Sequence, residues 1–261
     1  MEKSQQPVIS LIFPAYNESK TIVNTVNEAI GYFENKNLTF EIIVSADGDD
    51  GTRELVAEIG KSDARIKVTG SEARGGKGLG IRRTLPFITG KYVGFADADN
   101  KTPITEFDKV LPLLEEGHDL VIGSRGIDGA KIERKQPLFR QIGSKGFGIF
   151  MHLVVGLPGI IDTQCGFKFF QHDVFVDLFS RQRIDGYMYD VEILYLARQR
   201  GYHIEQVPVR WRDDGDSRLQ LLSGNIRNVI DIFRIRFDAA NQKKTLPTTN
   251  PGNQHGILID K

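Results

Sequence analysis

The chain has one cysteine, Cys165, in 261 residues. A single thiol excludes an intramolecular disulfide framework and fits a reducing compartment. Charge of either sign is not in excess: 34 Lys and Arg stand against 34 Asp and Glu. No global field therefore favours nucleic acid, and any cationic site has to be local. No apolar run reaches the length of a spanning helix. The opening MEKSQQPVISLIF has no apolar stretch long enough for a signal peptide. These absences point to a cytoplasmic protein. The nearest approach to a hydrophobic run is GFGIFMHLVVGLPGII, residues 146–161, which holds no Asp, Glu, Lys or Arg. Gly156, Pro158 and Gly159 interrupt it, and it is too short to cross a bilayer. It reads either as a buried core helix or as a surface element dipping into lipid. There is no internal repeat and no clean linker. From about Asn241 the tail, with Pro247, Pro251 and Gly252, is expected to be disordered. The organisation expected is one catalytic domain over 1–240 with a tail over 241–261.

Two common nucleotide signatures are also lacking. In GGKGLG, Ile81 stands where G-x-G-x-x-G needs its third glycine. Gly78 follows Lys77 where a P-loop needs Ser or Thr.

What is present is alternation. VISLIFPAY reads as a strand, and ESKTIVNTVNEAIGYF carries Ile22, Val26, Ala29, Ile30 and Phe33 at helical spacing. FEIIVSAD, ARIKVTG, YVGFADAD and HDLVIGSR read as further strands. Between them lie GTRELVAEIG, GLGIRRTLPFITG and ITEFDKVLPLLEEG as helices, the second with Pro86 within or near its end. This order predicts βαβ units, a mostly parallel sheet and helices on both faces. Ligands of such sheets sit beyond the C-terminal strand ends. PAYNES, ADGDDGT, SEARGGKG, DADN and GSRG all fall there. In the second half, LFRQIGSKGFGIFMHLVVGL reads as a helix, HIEQVPVRW as a strand and NIRNVIDIFRIRF as an amphipathic helix. Asp190 is placed to cap the helix of YDVEILYLARQRG. Asp97 and Asp99, one residue apart after the fourth strand, repel each other unless a cation lies between them. A divalent ion on the pair would bridge a diphosphate, because hard cations prefer carboxylate and phosphate oxygens.

FPAYNES, ADGDDGT, GGKG, DADN, GSR and DTQCGFK, in this order, resemble the family 2 glycosyltransferases of GT-A fold. Within them the similarity is to the dolichyl- or polyprenyl-phosphate sugar synthases, and most to the dolichyl-phosphate β-glucosyltransferase type. It covers residues 7 to about 237. The resemblance implies that Pro14, Tyr16 and Glu18 line the nucleotide pocket and that Asp47 contacts base or ribose. It implies that Lys77 helps hold the donor and that Asp97 and Asp99 carry Mg²⁺ or Mn²⁺ on the donor diphosphate. Ser217 and Arg218 resemble the Ser-Lys pair of a late loop that closes over that diphosphate. The sequence departs from the family at Ala46, where an acid is common, and at Lys101, where relatives of the mannosyl type often place Gln.

Arg125, Arg140 and Ser144 resemble residues that hold the acceptor phosphate, and Asp162 and Gln164 are expected to shape the acceptor cleft. Arg140 and Ser144 are spaced i, i+4 on one helix face. Arginine suits the task because its planar fork binds phosphate bidentately. The uncharged segment 146–161 follows at once, which favours its lipid-facing reading. Asp190 and Glu192 resemble a late acidic motif; a structural role, capping a helix or holding an arginine, is expected for them. Cys165 is expected to be a packed residue. The function implied is inverting transfer of a sugar, glucose foremost, from a UDP-sugar to a polyprenyl or dolichyl phosphate at the cytoplasmic face of a membrane. The alternatives are a hydroxyl acceptor with Asp190 as base, and a silent nucleotide-sugar-binding protein.

Overall fold

The structure is a computed structural model that describes residues 6–133, 154–212 and 223–242, with side chains of the last helix over 227–237. Its centre is a seven-stranded sheet. The strands are β1 (Ile9–Tyr16), β2 (Phe40–Asp47), β3 (Ile66–Thr69), β4 (Tyr92–Ala96), β5 (Leu120–Ser124), β7 (Phe167–Gln171) and β8 (Ile204–Pro208). Their order is β3-β2-β1-β4-β7-β5-β8. All neighbours run parallel except β7, which is antiparallel to both β4 and β5. The inserted antiparallel strand brings the loop before β7 to the edge where the parallel strands end. DTQCGFK thereby reaches the same edge as DADN. The mostly parallel α/β architecture expected from the alternation is borne out.

The helices are α1 (Ile22–Asn35), α2 (Thr52–Ser62), α3 (Lys77–Arg82), α4 (Leu111–Glu115), α5 (His172–Arg181), α6 (Tyr189–Gln199) and α7 (Ser223–Gln242). They cover both faces, because alternate strand residues point to opposite sides. Leu11 and Phe13 of β1 pack with Val26, Ala29 and Phe33 of α1 on one face. Ile12 and Phe95 pack with Phe175, Phe179, Tyr189 and Ile193 of α5 and α6 on the other. Burying each such aromatic or aliphatic side chain contributes about 1.5–3 kcal/mol.

Three elements differ from expectation, each for a local reason. The helix read through ITEFDKVLPLLEEG divides into a 3₁₀ turn at Ile104–Lys109 and the short α4, where Pro112 stands in the first turn. Proline has no N–H to continue an existing helix but fits the start of a new one. The helix of GLGIRRTLPFITG ends at Arg82, with a 3₁₀ turn at Leu85–Phe87 around Pro86. HIEQVPVRW divides after Pro208. Its second part, β9 (Arg210–Trp211), leaves the main sheet and pairs with β6 (Lys131–Ile132).

Helix α7 extends to Gln242, two residues past the expected domain boundary. Of the uncharged segment, residues 146–153 lie outside the described residues. In the remainder Val155, Leu157 and Ile160 are buried in the core, so that part packs inward and only Ile161 offers a large apolar side chain to solvent. Among the described residues no helix is long and apolar enough to cross a membrane.

Candidate active site

The DADN turn follows β4 directly and is tied down from three sides. The backbone N–H of Asp97 donates to Gly166 O at 3.0 Å, across the β4–β7 junction. Buried Thr25 of α1 donates through Oγ1 to Ala98 O at 2.9 Å. Asn100 takes φ 54°, a left-handed conformation that Asn tolerates better than most residues. Arg212, just past β9, donates its N–H to Lys101 O at 2.9 Å. The glycine of DTQCGFK has a steric purpose here. A Cβ on Gly166 would lie 2.2 Å from Asp97 Oδ2 and 2.3 Å from Oδ1.

Both carboxylates of the pair carry a lysine. Lys77 Nζ donates to Asp97 Oδ1, and Lys101 Nζ lies 2.9 Å from Asp99 Oδ2. Burial alone would lower the Lys77 pKa, but Asp97, Asp190 and Asp99 hold it above its ordinary value. Two ammonium groups thus stand where negative charge has to be compensated. The donor set is two part-exposed carboxylates at a strand end, all hard oxygen, and it fits Mg²⁺ or Mn²⁺.

Lys77 is aimed by the glycines around it. A Cβ on Gly76 would meet Asp185 O at 2.3 Å, and one on Gly78 would meet Ile184 O at 2.4 Å. Arg82 fixes the same partner segment, at 2.8 Å from Asp185 Oδ1 and 2.9 Å from Gln182 O. GGKG is therefore a close-packing motif that seats the lysine against the 182–186 turn.

Asp47, at the end of β2, accepts from Arg83 Nη1 at 2.7 Å, Gly75 N–H at 2.7 Å and Ser71 N–H at 3.2 Å. Burial would raise its carboxyl, but Arg83 and the backbone donors hold it below the usual value. Tyr16, at the end of β1, lies under the Arg74 guanidinium, 4.4 Å from the ring centre. Pro14 is half-buried in β1. Glu18 accepts from Thr21 Oγ1 at 3.1 Å. Pro14, Tyr16, Glu18, Asp47 and Lys77 all come to one edge of the sheet with Asp97 and Asp99.

Arg125 and Asp162 form one unit. Arg125 Nε and Nη2 donate to Asp162 at 2.7 and 2.9 Å, and the Arg125 N–H adds a third bond at 3.0 Å. The guanidinium also lies 5.3 Å from the Trp211 ring centre. Burial would lower the Arg125 pKa, but Asp162 holds it above its ordinary value. Exposed Gln164 donates its N–H to Asp162 Oδ1 at 3.2 Å. Arg140, Ser144, Ser217 and Arg218 lie outside the described residues.

Asp190 departs from both expected roles. It does not cap α6, whose N-cap is Met188, and its partner is a lysine. Lys168 Nζ donates to Asp190 Oδ1 at 2.7 Å and to Cys165 O at 2.6 Å. The two side chains are 0% and 6% exposed. Burial pushes the Asp190 carboxyl up, and Lys168 and Lys77 offset only part of that. Glu192 accepts the N–H groups of Ile184 and Arg183 at 2.8 and 3.0 Å, which holds the turn beneath GGKG. Cys165 is packed as expected, its thiol pushed up to about 12 by burial.

Residues 10–179 match the profile described as glycosyl transferase family 2. The chain belongs to glycosyl transferase family 2. A dolichyl-phosphate beta-glucosyltransferase of Trichomonas vaginalis is 33% identical over 238 residues, 87% of this chain and 70% of its own. One of Dictyostelium discoideum is 34% identical over 242 residues, 88% and 74% of the two chains. Among solved structures, the mannosyl-3-phosphoglycerate synthase of Rubrobacter xylanophilus superposes with a TM-score of 0.67 at 20% identity, covering 95% of this chain and 79% of that one. The glucosyl-3-phosphoglycerate synthase of Mycobacterium tuberculosis, solved with Mn²⁺, UDP-glucose and phosphoglyceric acid, gives 0.65 at 22%, covering 88% and 79%. These structures share the fold of this family 2 glycosyltransferase.

Two members of the charge network escaped the sequence reading. Arg83 is the second of two adjacent arginines, just past the end of α3, and only the fold brings it to Asp47. Lys168 did leave a signal: a lysine between phenylalanines in FKFF is a charge in a buried strand, and such a charge needs a buried partner.

Proposed function

We propose that this glycosyltransferase moves a sugar, glucose foremost, from a UDP-sugar to a dolichyl or polyprenyl phosphate, with inversion, at a membrane surface. The observation that carries the reading is the state of Asp190. A hydroxyl acceptor needs a base to take its proton, and the acid suited by position is locked in a buried pair with Lys168. A lipid phosphate is already ionised and needs no base. The similarity to dolichyl-phosphate beta-glucosyltransferases supports the same acceptor.

In this reading an acceptor phosphate oxygen attacks the anomeric carbon from the side opposite the diphosphate. The C1–O bond to UDP breaks as the new C1–O–P bond forms, and the electron pair leaves on the UDP oxygen. Pro14, Tyr16, Glu18 and Asp47 hold the nucleoside end. Lys77, with Ser217 and Arg218, compensates the departing charge. Mg²⁺ or Mn²⁺ on Asp97 and Asp99 supplies further neutralisation of the diphosphate when bound. Arg125 enters as part of a neutral pair with Asp162, so Arg140, with Ser144, supplies most of the attraction for the acceptor.

The outward face of α7 supports the membrane surface and a place on the cytoplasmic side of a bilayer. Ile230, Phe233 and Phe237 are exposed at i, i+3 and i+7, and Phe237 is 65% exposed. Arg227, Arg234 and Arg236 lie on the same helix. Apolar groups beside arginines are the pattern of a helix lying in an anionic interface.

The test is a panel of nucleotide sugars with a short polyprenyl phosphate, and separately with hydroxyl acceptors, in Mn²⁺. UDP-glucose with the lipid phosphate should give the highest rate, and EDTA should abolish it. Faster transfer to a hydroxyl acceptor would refute the acceptor, and full turnover in EDTA would refute the metal.

A further inference from the structure

At the end of the sheet opposite the DADN turn, three ligating side chains meet that sugar transfer does not use. His118 precedes β5, and His203 precedes β8. Their strands are parallel neighbours with Leu120 opposite Ile204. The register places the two imidazoles together, and His203 and Glu205, two apart in the chain, share one face of the edge strand. His118 Nδ1 and His203 Nδ1 are 2.8 Å apart. The possible ligand atoms of His118, His203 and Glu205 all lie within 4.8 Å of one another.

The surroundings resemble the outer shell of a metal centre. On His118 the other ring nitrogen, Nε2, faces Glu116 Oε2 at 3.9 Å, where a small side-chain rotation would make a hydrogen bond. Metal-bound imidazoles commonly give their second N–H to a carboxylate in this way. The His203 backbone N–H donates to Asp119 Oδ2 at 2.7 Å, which fixes the turn that presents the ring. Glu205 Oε1 accepts the Gln206 N–H at 3.2 Å, and a carboxylate so oriented retains further acceptor capacity. Two nitrogens on a tetrahedral Zn²⁺ stand about 3.3 Å apart, so the rings need to part by only about 0.5 Å from 2.8 Å.

We propose that His118, His203 and Glu205 bind a borderline divalent cation of the Zn²⁺ class and clamp the edge strand β8 to β5. Two imidazoles and one carboxylate suit Zn²⁺, Co²⁺ or Ni²⁺, whereas Mg²⁺ and Mn²⁺ favour the all-oxygen pair at Asp97 and Asp99. The site is half-open, so water completes the fourth position.

The experiment is a titration of the EDTA-treated, dialysed full chain with Zn²⁺ in saturating Mg²⁺, followed by calorimetry, with Co²⁺ as an absorbance probe in parallel. One equivalent should bind, and Co²⁺ should develop the visible bands of a four-coordinate site. His118→Ala and His203→Ala should remove both signals while keeping the metal-free melting temperature, and Glu116→Gln should weaken binding about tenfold. Asp97→Asn should leave them intact, which separates this site from the donor site. Absence of saturable Zn²⁺ binding in the wild-type chain would overturn the proposal. So would binding that survives both histidine substitutions or disappears with Asp97→Asn.

Discussion

The Lys168–Asp190 pair offers a perturbation whose sign reverses with pH according to which partner is removed. The two groups are 2.7 Å apart and 0% and 6% exposed, so water screens neither. Asp190→Asn leaves an ammonium group in the core without its counter-charge, with only neutral oxygens, Cys165 O and the new amide, to accept from it. Removing one partner of a buried pair costs about 3–5 kcal/mol. For a chain of this size that lowers Tm by about 6–20 °C. Wild-type Asp190, its native carboxyl held above the ordinary value by burial, contributes stability that is lost as pH rises, and a neutral amide contributes none. The Asp190→Asn deficit therefore shrinks toward alkaline pH. Lys168→Met does the reverse. Burial already pushes the Asp190 carboxyl above its ordinary value, and losing the lysine pushes it further. Its native state binds more protons than the unfolded chain, so stability is fullest below the ordinary Asp value near about 4 and falls as pH rises through the native one. The Lys168→Met deficit therefore grows with pH. The assay is Tm against pH for both variants, relative to wild type, from about pH 5 to about pH 8.5. Shifts under about 2 °C, or slopes of the same sign, would refute the reasoning. Below its melting range Asp190→Asn should still transfer sugar to a lipid phosphate. A variant that melts normally and is inactive would make Asp190 a base and the acceptor a hydroxyl.

Gly166→Ala should reduce transfer about a hundredfold, the scale of an ångström-level misplacement at a reacting centre, because its Cβ would displace the Asp97 carboxylate. Tm should change little since Asp97 is part-exposed, and wild-type kinetics in this variant would refute the packing argument. Phe233→Ser with Phe237→Ser should cut flotation with anionic liposomes while leaving Tm unchanged, since both rings face solvent; undiminished flotation would exclude this helix as the docking face.

The sequence by itself determined the layering and the sheet edge that carries the candidate site. Short runs rich in β-branched and aromatic residues, alternating with helical spacing, marked β1 to β5, and chain order alone put PAYNES, ADGDDGT, GGKG and DADN at one edge. These are local and periodic signals, and a parallel sheet has few ways to satisfy them. Proline chemistry was also present, yet the breaks at Pro86 and Pro112 were read through because the apolar spacing continues past them. What only the tertiary structure decided is which charges meet. Arg83 with Asp47, Lys77 with Asp97, Arg125 with Asp162 and Lys168 with Asp190 are 36, 20, 37 and 22 residues apart. No periodicity links them. The antiparallel entry of β7 between β4 and β5 was equally hidden, because strand direction leaves no mark on a run of five residues. That insertion brings Gly166 against Asp97 and carries Lys168 to Asp190. Partner choice among charges depends on distances through space, and those exist only once the chain has closed on itself.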